Sequence, residues 1–435
     1  MELTSLRKRW LAAAPNHFFL RIAGATLLTV LIPSPAVQAQ QSGTAPPNEA
    51  ETVAELLKRV QHLEALLKQI EEERAKSAAP ATPAAPAEAT HANVPPAPAA
   101  AEPEHGMGMP ELGPHLQIRG FSDVTLHGSN EKGTHTAFSL GQLNLFITSE
   151  ISERFKILSE IVFEANETNA LGVDVERLML QYSPNDYFKI AVGRYHTAIG
   201  YYNTAYHHST WLQTAIGRPF LFEFEDGGGI LPIHNVGVSA SGRIPSGTLG
   251  LHYVAEFGNG RASRSPLDEA VQNRVDENNH KAFNMALLAR PESIQGLQAG
   301  FSVYRDVLIP DGSPRIGETI LSLHAVYVRP GFEWLNEALV IRHALLGQSR
   351  VLHTPGGYTQ ISRRFGSYRP FFRYEYINAP SDEPIFSDVG LRHGPSAGLR
   401  FDANDAVALK FQYDHTMERR RPAFDMLTLQ FAFTF

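Results

Sequence analysis

The last nine residues, Leu427 to Phe435, alternate without a break, and that period of two is the strongest constraint on what the chain can become. Leu427, Leu429, Phe431, Phe433 and Phe435 point one way, while Thr428, Gln430, Ala432 and Thr434 point the other. A strand apolar on one face and small or polar on the other suits lipid outside and water inside. The same alternation appears in Leu143, Leu145 and Ile147, in Phe188, Ile190 and Val192, in Phe283, Met285 and Leu287, and in Leu399 with Phe401. From His115 to the end it predicts sixteen strands, near 115–128, 136–149, 154–167, 172–183, 186–196, 235–245, 247–258, 280–291, 295–306, 317–330, 332–346, 356–365, 368–378, 392–403, 405–417 and 423–435. The expected fold is therefore all-β, a 16-stranded antiparallel transmembrane barrel over 115–435.

The connections support an even, closed count. Ser152-Glu153, Pro184-Asn185, Pro245-Ser246-Gly247, Pro291-Glu292, Pro330-Gly331, Gly366-Ser367 and Asn404-Asp405 read as tight turns, and each is followed by a strand and then a longer link. Short turns at one end and long loops at the other place both barrel termini on the turn side, the periplasmic side of such a barrel. A soluble sandwich or β-helix is the alternative. Against it, the predicted strands exceed the usual length of about 5–6 residues, and three phenylalanines at a free terminus suit lipid better than water.

The segment before the barrel has three parts. Arg7, Lys8, Arg9 and Arg21 precede an apolar run from Ile22 to Ile32, then Val37-Gln38-Ala39, which reads as a secretory signal peptide over 1–39. The run falls well short of the roughly 20 residues a spanning helix needs. Over 49–76, Val53, Leu56, Val60, Leu63, Leu67 and Ile70 keep a heptad seam, predicting a short self-associating coiled coil, with an amphipathic helix docked on the barrel as the alternative. Residues 77–114 are dominated by Ala and Pro and read as a disordered linker. His105 to Met109 in that linker carries soft donors, and low-complexity composition explains them without a metal. The chain has no cysteine, which excludes disulfides, thiolate metal sites and a thiol nucleophile, and its net charge of -7 argues against general nucleic-acid affinity.

The ending that includes Phe431, Phe433 and Phe435 resembles the terminal strand by which the outer-membrane barrel assembly machinery recognises its clients. The order of signal peptide, coiled coil, Pro/Ala tether and a barrel beginning His115-Leu116-Gln117-Ile118-Arg119-Gly120-Phe121 resembles the trimeric porins related to phosphate-selective porins. Ile190 to Tyr195, through Ile199-Gly200, is similar to the Gly-Arg strand those proteins carry before their long third loop. The resemblance implies a homotrimer in the bacterial outer membrane, in contact with membrane lipid and lipopolysaccharide, passing small hydrophilic solutes. It implies no cofactor and no catalysis. This chain lacks a dense Lys and Arg cluster in the constriction segment, so phosphate selectivity does not carry over.

The longest connection, about 197–234, holds Tyr201, Tyr202, Tyr206, Trp211, Phe220, Phe222 and Phe224. So many aromatics on a surface loop would be an exposed patch, and the loop is expected to fold into the barrel as a constriction. Its charged candidates are His207, His208, Arg218, Glu223, Glu225 and Asp226. The histidines, with His234, could ligate a metal, but adjacent residues of an extended segment point apart, so the expectation is hydrogen bonding and no metal. Arg119, Lys156, Lys189, Arg373, Arg400 and Lys410 are expected on the lumen wall, opposite a similar number of carboxylates that include Asp123, Glu160, Glu375 and Asp414. Arginines on the later strands suggest a weak preference for organic or inorganic anions. A sugar-specific porin, with loop aromatics stacking on saccharide, and a non-conducting anchor tied to the cell wall are the alternatives. No Gly-x-Ser-x-Gly elbow or local triad marks an enzyme.

Overall fold

A computed structural model describes residues 115–165, 169–206, 210–263, 270–419 and 421–435. The signal peptide, coiled coil and linker expected over 1–114 lie outside the described residues.

Sixteen antiparallel strands close on themselves. They are β1 (His115–Ser129), β2 (Ala137–Glu150), β3 (Phe155–Ala165), β4 (Leu171–Asn185), β5 (Phe188–His196), β6 (His234–Arg243), β7 (Leu251–Gly258), β8 (Ala282–Ala289), β9 (Leu297–Leu308), β10 (Ile316–Arg329), β11 (Phe332–Leu345), β12 (Val351–Arg363), β13 (Tyr368–Asn378), β14 (Leu391–Asp402), β15 (Val407–Glu418) and β16 (Phe424–Thr434). Each pairs with its sequence neighbours, and β16 seals against β1 in the register Val124↔Phe431, Leu126↔Leu429. At the seam the Phe435 N–H donates to the Gly120 carbonyl at 3.0 Å and the Gly120 N–H returns a bond of 2.8 Å. Closure leaves no strand edge to pair with another chain.

Alternation sorts the side chains as a membrane barrel requires. On β16, Leu427, Phe431 and Phe433 are exposed outward, while Thr428, Gln430 and Ala432 are buried within. Exposed aromatics stand at both ends of the outer band, Phe155, Phe188, Tyr368 and Phe433 toward the short turns and Phe138, Phe257, Phe283 and Tyr376 toward the loops. A closed sheet with an apolar exterior and aromatic girdles satisfies every backbone group inside hydrocarbon, and it is a transmembrane fold.

Two strand starts differ from expectation by more than two residues. β12 begins at Val351, five residues before the expected start at Gly356, and runs through Pro355; Pro355 pairs opposite Val340, and Gly356 and Gly357 remain in the ladder. After the turn at 244–246, Gly247–Leu249 form a short 3-10 turn, so β7 begins only at Leu251.

The interior is not uniformly wet. Inward residues of β10 and β11 include Ile316, Ile320, Val326, Leu335, Leu339 and Ile341, all buried in one apolar cluster with loop side chains. Among the described residues two loops supply those side chains: 197–233 gives Tyr202 and Phe222, and 379–390 gives Ile385 and Phe386, while the connection 259–281 buries Val271 outside the cluster. Only the first of these was expected inside.

Candidate functional site

The loop between β5 and β6 is fixed by wall groups of both signs. Carboxylates on the wall accept from its N–H groups. Glu256 on β7 accepts from the Ala198 N–H at 3.1 and 3.0 Å, and Glu375 on β13 accepts from the Phe220 N–H at 3.1 Å. Glu337 on β11 accepts from three donors, the Tyr201 N–H at 2.5 Å, the Tyr202 N–H at 2.8 Å and the Tyr358 hydroxyl at 2.7 Å. Glu333, four residues earlier, accepts from the Tyr206 hydroxyl at 2.7 Å.

Cations on the next strands donate to the loop carbonyls. Arg373 reaches Gly217 at 3.0 Å and Ile216 at 3.3 Å, Arg400 reaches Trp211 at 2.5 Å and Gln213 at 2.9 Å, and Lys410 reaches Thr210 at 2.5 Å and Ala215 at 3.4 Å. Gln412 does both, accepting from the Ile216 N–H at 2.8 Å and donating to its carbonyl at 3.1 Å. An irregular segment inside a barrel has few ladder partners for its own backbone, so the wall supplies them.

Packing completes the attachment. The Tyr202 ring lies 4.7 Å from Tyr206, 5.7 Å from Phe222 and 6.1 Å from Tyr358, centre to centre. Gly200 has φ +73°, a left-handed turn that brings the following two N–H groups onto Glu337. Gly356 on β12 leaves room for Leu221, whose Cδ2 would stand 2.2 Å from any Cβ there.

Of the sequence-predicted loop residues, His207 and His208 lie outside the described residues. Arg218 is folded back on its own loop, donating to the Phe222 carbonyl and lying 4.0 Å from the Phe224 ring centre. Glu223 pairs with Arg392 at 3.0 Å, and Asp226 is exposed in the glycine turn. Glu225 is buried and receives the His234 N–H at 2.8 Å, with His234 Nδ1 3.1 Å from its other oxygen. His234 in turn contacts Glu176 at 2.7 Å. Among the described residues no group of His, Asp and Glu is arranged to hold a metal ion.

Burial alone would raise the Glu225 carboxyl, but the imidazole and N–H of His234 outweigh it and hold the group below the usual carboxylate range. A depressed folded value contributes stability above the unfolded value of about 4.3, lost as the pH falls through the folded one. Hydrogen exchange of the segment around 222–236 is therefore expected to stay slow at pH 5 and to accelerate only below about pH 4. Glu225→Gln should show the fast exchange already at neutral pH.

The wall residues expected from sequence divide into two sets. Arg119 lines an internal cavity of about 370 Å³ with Glu160 and Leu212, Lys156 pairs with Glu150 at 2.5 Å, and Lys189 lines a second space with Arg177 and Glu256. These three lie toward the short-turn end. Arg373, Arg400 and Lys410 face inward too, but all three are buried under the loop as its anchors, and of the three Arg373 also borders the cavity beside it.

Beside the loop lies a cavity of about 680 Å³. Its lining includes Glu164, Asp174, Glu176, Glu223, Glu225, Asp226, Glu375 and Asp414 against Arg194, Arg218, Arg373 and Arg392, eight carboxylates to four guanidinium groups among the described residues. Arg194 is itself bound to Asp174 at 3.4 Å and Glu176 at 3.1 Å. The Asp174 side chain is 44% exposed, while Glu223 at 32% is matched by its partner Arg392 at 30%, so Asp174 is the more accessible charge.

Sequence reasoning missed Glu256, Glu333, Glu337 and Gln412. A trace of them was present: β11 carries Glu333, Leu335, Glu337, Leu339 and Ile341 on its inner face, too apolar for a water-lined wall.

No family model matches the chain, and no curated protein matches it in sequence. Solved structures do. The outer membrane channel DcaP of Acinetobacter baumannii superposes with a TM-score of 0.52 at 9% identity, over 75% of this chain and 98% of that one. The likeness is one of fold. Salmonella typhi OmpF, solved in complex with daunomycin, gives 0.51 at 11% identity over 76% and 100%. Both share the closed barrel, and at these identities the side chains of the clamp are this chain's own.

Proposed function

We propose that the protein is an outer-membrane porin, passing small hydrophilic solutes through the polar part of its barrel without catalysis. The carrying observation is the lumen itself: an internal loop anchored on strands from β7 to β15, beside a charged cavity of about 680 Å³. The likeness to outer-membrane channels in fold supports it. On this reading the leader over 1–39 directs export, the 49–76 helix self-associates in the periplasm on its 77–114 tether, the barrel is assembled through its terminal phenylalanines, and the working unit is a homotrimer.

The expected preference is for cations over anions. An anion preference rested on later-strand cations facing water, and Arg373, Arg400 and Lys410 donate to loop carbonyls instead. Carboxylates outnumber guanidinium groups around the cavity, and in a narrow lumen the nearest fixed charges govern selectivity. Saccharide stacking is disfavoured, since Arg392 covers the Phe220 ring at 3.7 Å and Arg218 the Phe224 ring at 4.0 Å.

Planar-bilayer recording of the full-length protein tests both points. Stepwise openings are expected, with a reversal potential in a salt gradient displaced toward the cation. Asp174→Asn with Glu223→Gln should move that potential toward the anion. Absence of openings would favour the anchor, and an anion-selective wild type would sink the charge assignment.

A further inference from the structure

The outer face of the barrel carries a feature that conduction does not use. On four consecutive strands, one side chain each stands level in the ladder: Arg305 on β9 opposite Thr319 on β10, Thr319 opposite Arg342 on β11, and Arg342 opposite His353 on β12. Alternation fixes their direction. Arg305 lies between inward Tyr304 and Asp306, Arg342 between Ile341 and His343, and His353 between Leu352 and Thr354, all buried, whereas Arg305, Arg342 and His353 are exposed.

The row lies near the loop ends of these strands and has apolar or small residues on both sides. Val303, Leu321, Val340 and Pro355 lie toward mid-membrane, and Val307, Gly317, Ala344 and Val351 toward the loops. Among the described residues neither Arg305 nor Arg342 has a carboxylate partner, although the nearby Arg350 pairs with Asp382. Two guanidinium groups without counter-charge at the margin of a hydrocarbon-facing surface call for an anion supplied from the membrane side. Their long stems can lie along the apolar face and lift the charge into the headgroup layer.

Neighbouring strands are about 4.8 Å apart, so the two arginines stand roughly 10 Å from each other. That spacing, with apolar surface below, fits an amphiphile bearing phosphates on its headgroup and acyl chains beneath it. A second copy of the chain fits poorly. By alternation the only carboxylate facing outward from any described strand is Asp425, and it already accepts from Tyr413 at 2.5 Å and Asn130 at 2.9 Å and contacts His415 at 2.7 Å.

We propose that Arg305, Thr319, Arg342 and His353 form a binding row for the phosphorylated headgroup of a lipid in the leaflet on the loop side. This rests on the chain spanning a membrane and not on its conducting. The test is native mass spectrometry of the full-length protein in detergent, titrated with bisphosphorylated lipid A and separately with the same lipid stripped of its phosphates. Wild type should hold the phosphorylated lipid in preference. Arg305→Gln with Arg342→Gln should weaken it by about thirtyfold, two residues at the usual contribution of an arginine at an anionic surface. The double lysine variant should recover most of the affinity, which separates loss of charge from loss of fold. Equal binding of the two lipids, or full retention by the glutamine variant, overturns the proposal. So does a glutamine variant that changes oligomeric mass while binding lipid as before, since the row would then be a contact between copies. Bilayer conductance of the same preparations reports on the porin reading independently.

Discussion

Replacing Glu337 with alanine is expected to free the internal loop and raise single-channel conductance, with openings noisier than those of the wild type. Glu337 is 4% exposed and accepts from the Tyr201 and Tyr202 N–H groups and the Tyr358 hydroxyl. Without it three donors are left in a site water barely reaches. Each buried donor without a partner costs about 1–3 kcal/mol, so the attachment should weaken by about 3 kcal/mol or more. The barrel ladder does not pass through this contact and should persist. Glu337→Gln keeps one acceptor oxygen and should fall between the two. Conductance and loop hydrogen exchange both equal to wild type would show that the loop is held elsewhere.

The second large effect is expected at Phe222. Its side chain is completely buried, with Tyr202 on one side and Tyr358 on another, and it belongs to the apolar cluster that joins the loop to β10 and β11. Phe222→Ala should cost about 3–5 kcal/mol, the transfer term plus that of the cavity left behind. The loss should appear as faster exchange across 197–233 while the strand amides remain protected, because the loop is a separate packing unit on a closed ladder. A uniform loss of protection would mean that the interior cluster stabilises the barrel as a whole. Phe222→Leu, closer in volume, should lose less.

These two positions also show how much of the molecule was legible in the chain. The strand count, the alternation of turns and loops and the seam at the terminal strand could all be read from local patterns. Period two is a property of a single strand, and a turn needs only the residues that make it. The aromatic loop was legible too, since Tyr201, Tyr202, Phe222 and Phe224 in one exposed connection would be costly in water. What could not be read was its partner. Glu337 contacts Tyr201 across 136 positions, and Gln412 contacts Ile216 across 196. Nothing near either residue marks the meeting.

The start of β12 was not legible either. The expected strand over 356–365 begins just past Pro355, and a proline usually marks a strand's limit, yet here it lies within the paired run of β12. Arg373, Arg400 and Lys410 misled more deeply. Alternation places them inside, where loop carbonyls and not open water receive their donors.

By itself, then, the sequence determined a closed sheet of sixteen strands with an apolar exterior, because the preference of one strand face for lipid is written residue by residue. Tertiary structure decided which inward groups meet solvent and which meet protein. Alternation says only that a side chain points in. Whether a buried lysine such as Lys410 tunes a pore or anchors a loop depends on what folds in from residues far along the chain to cover it.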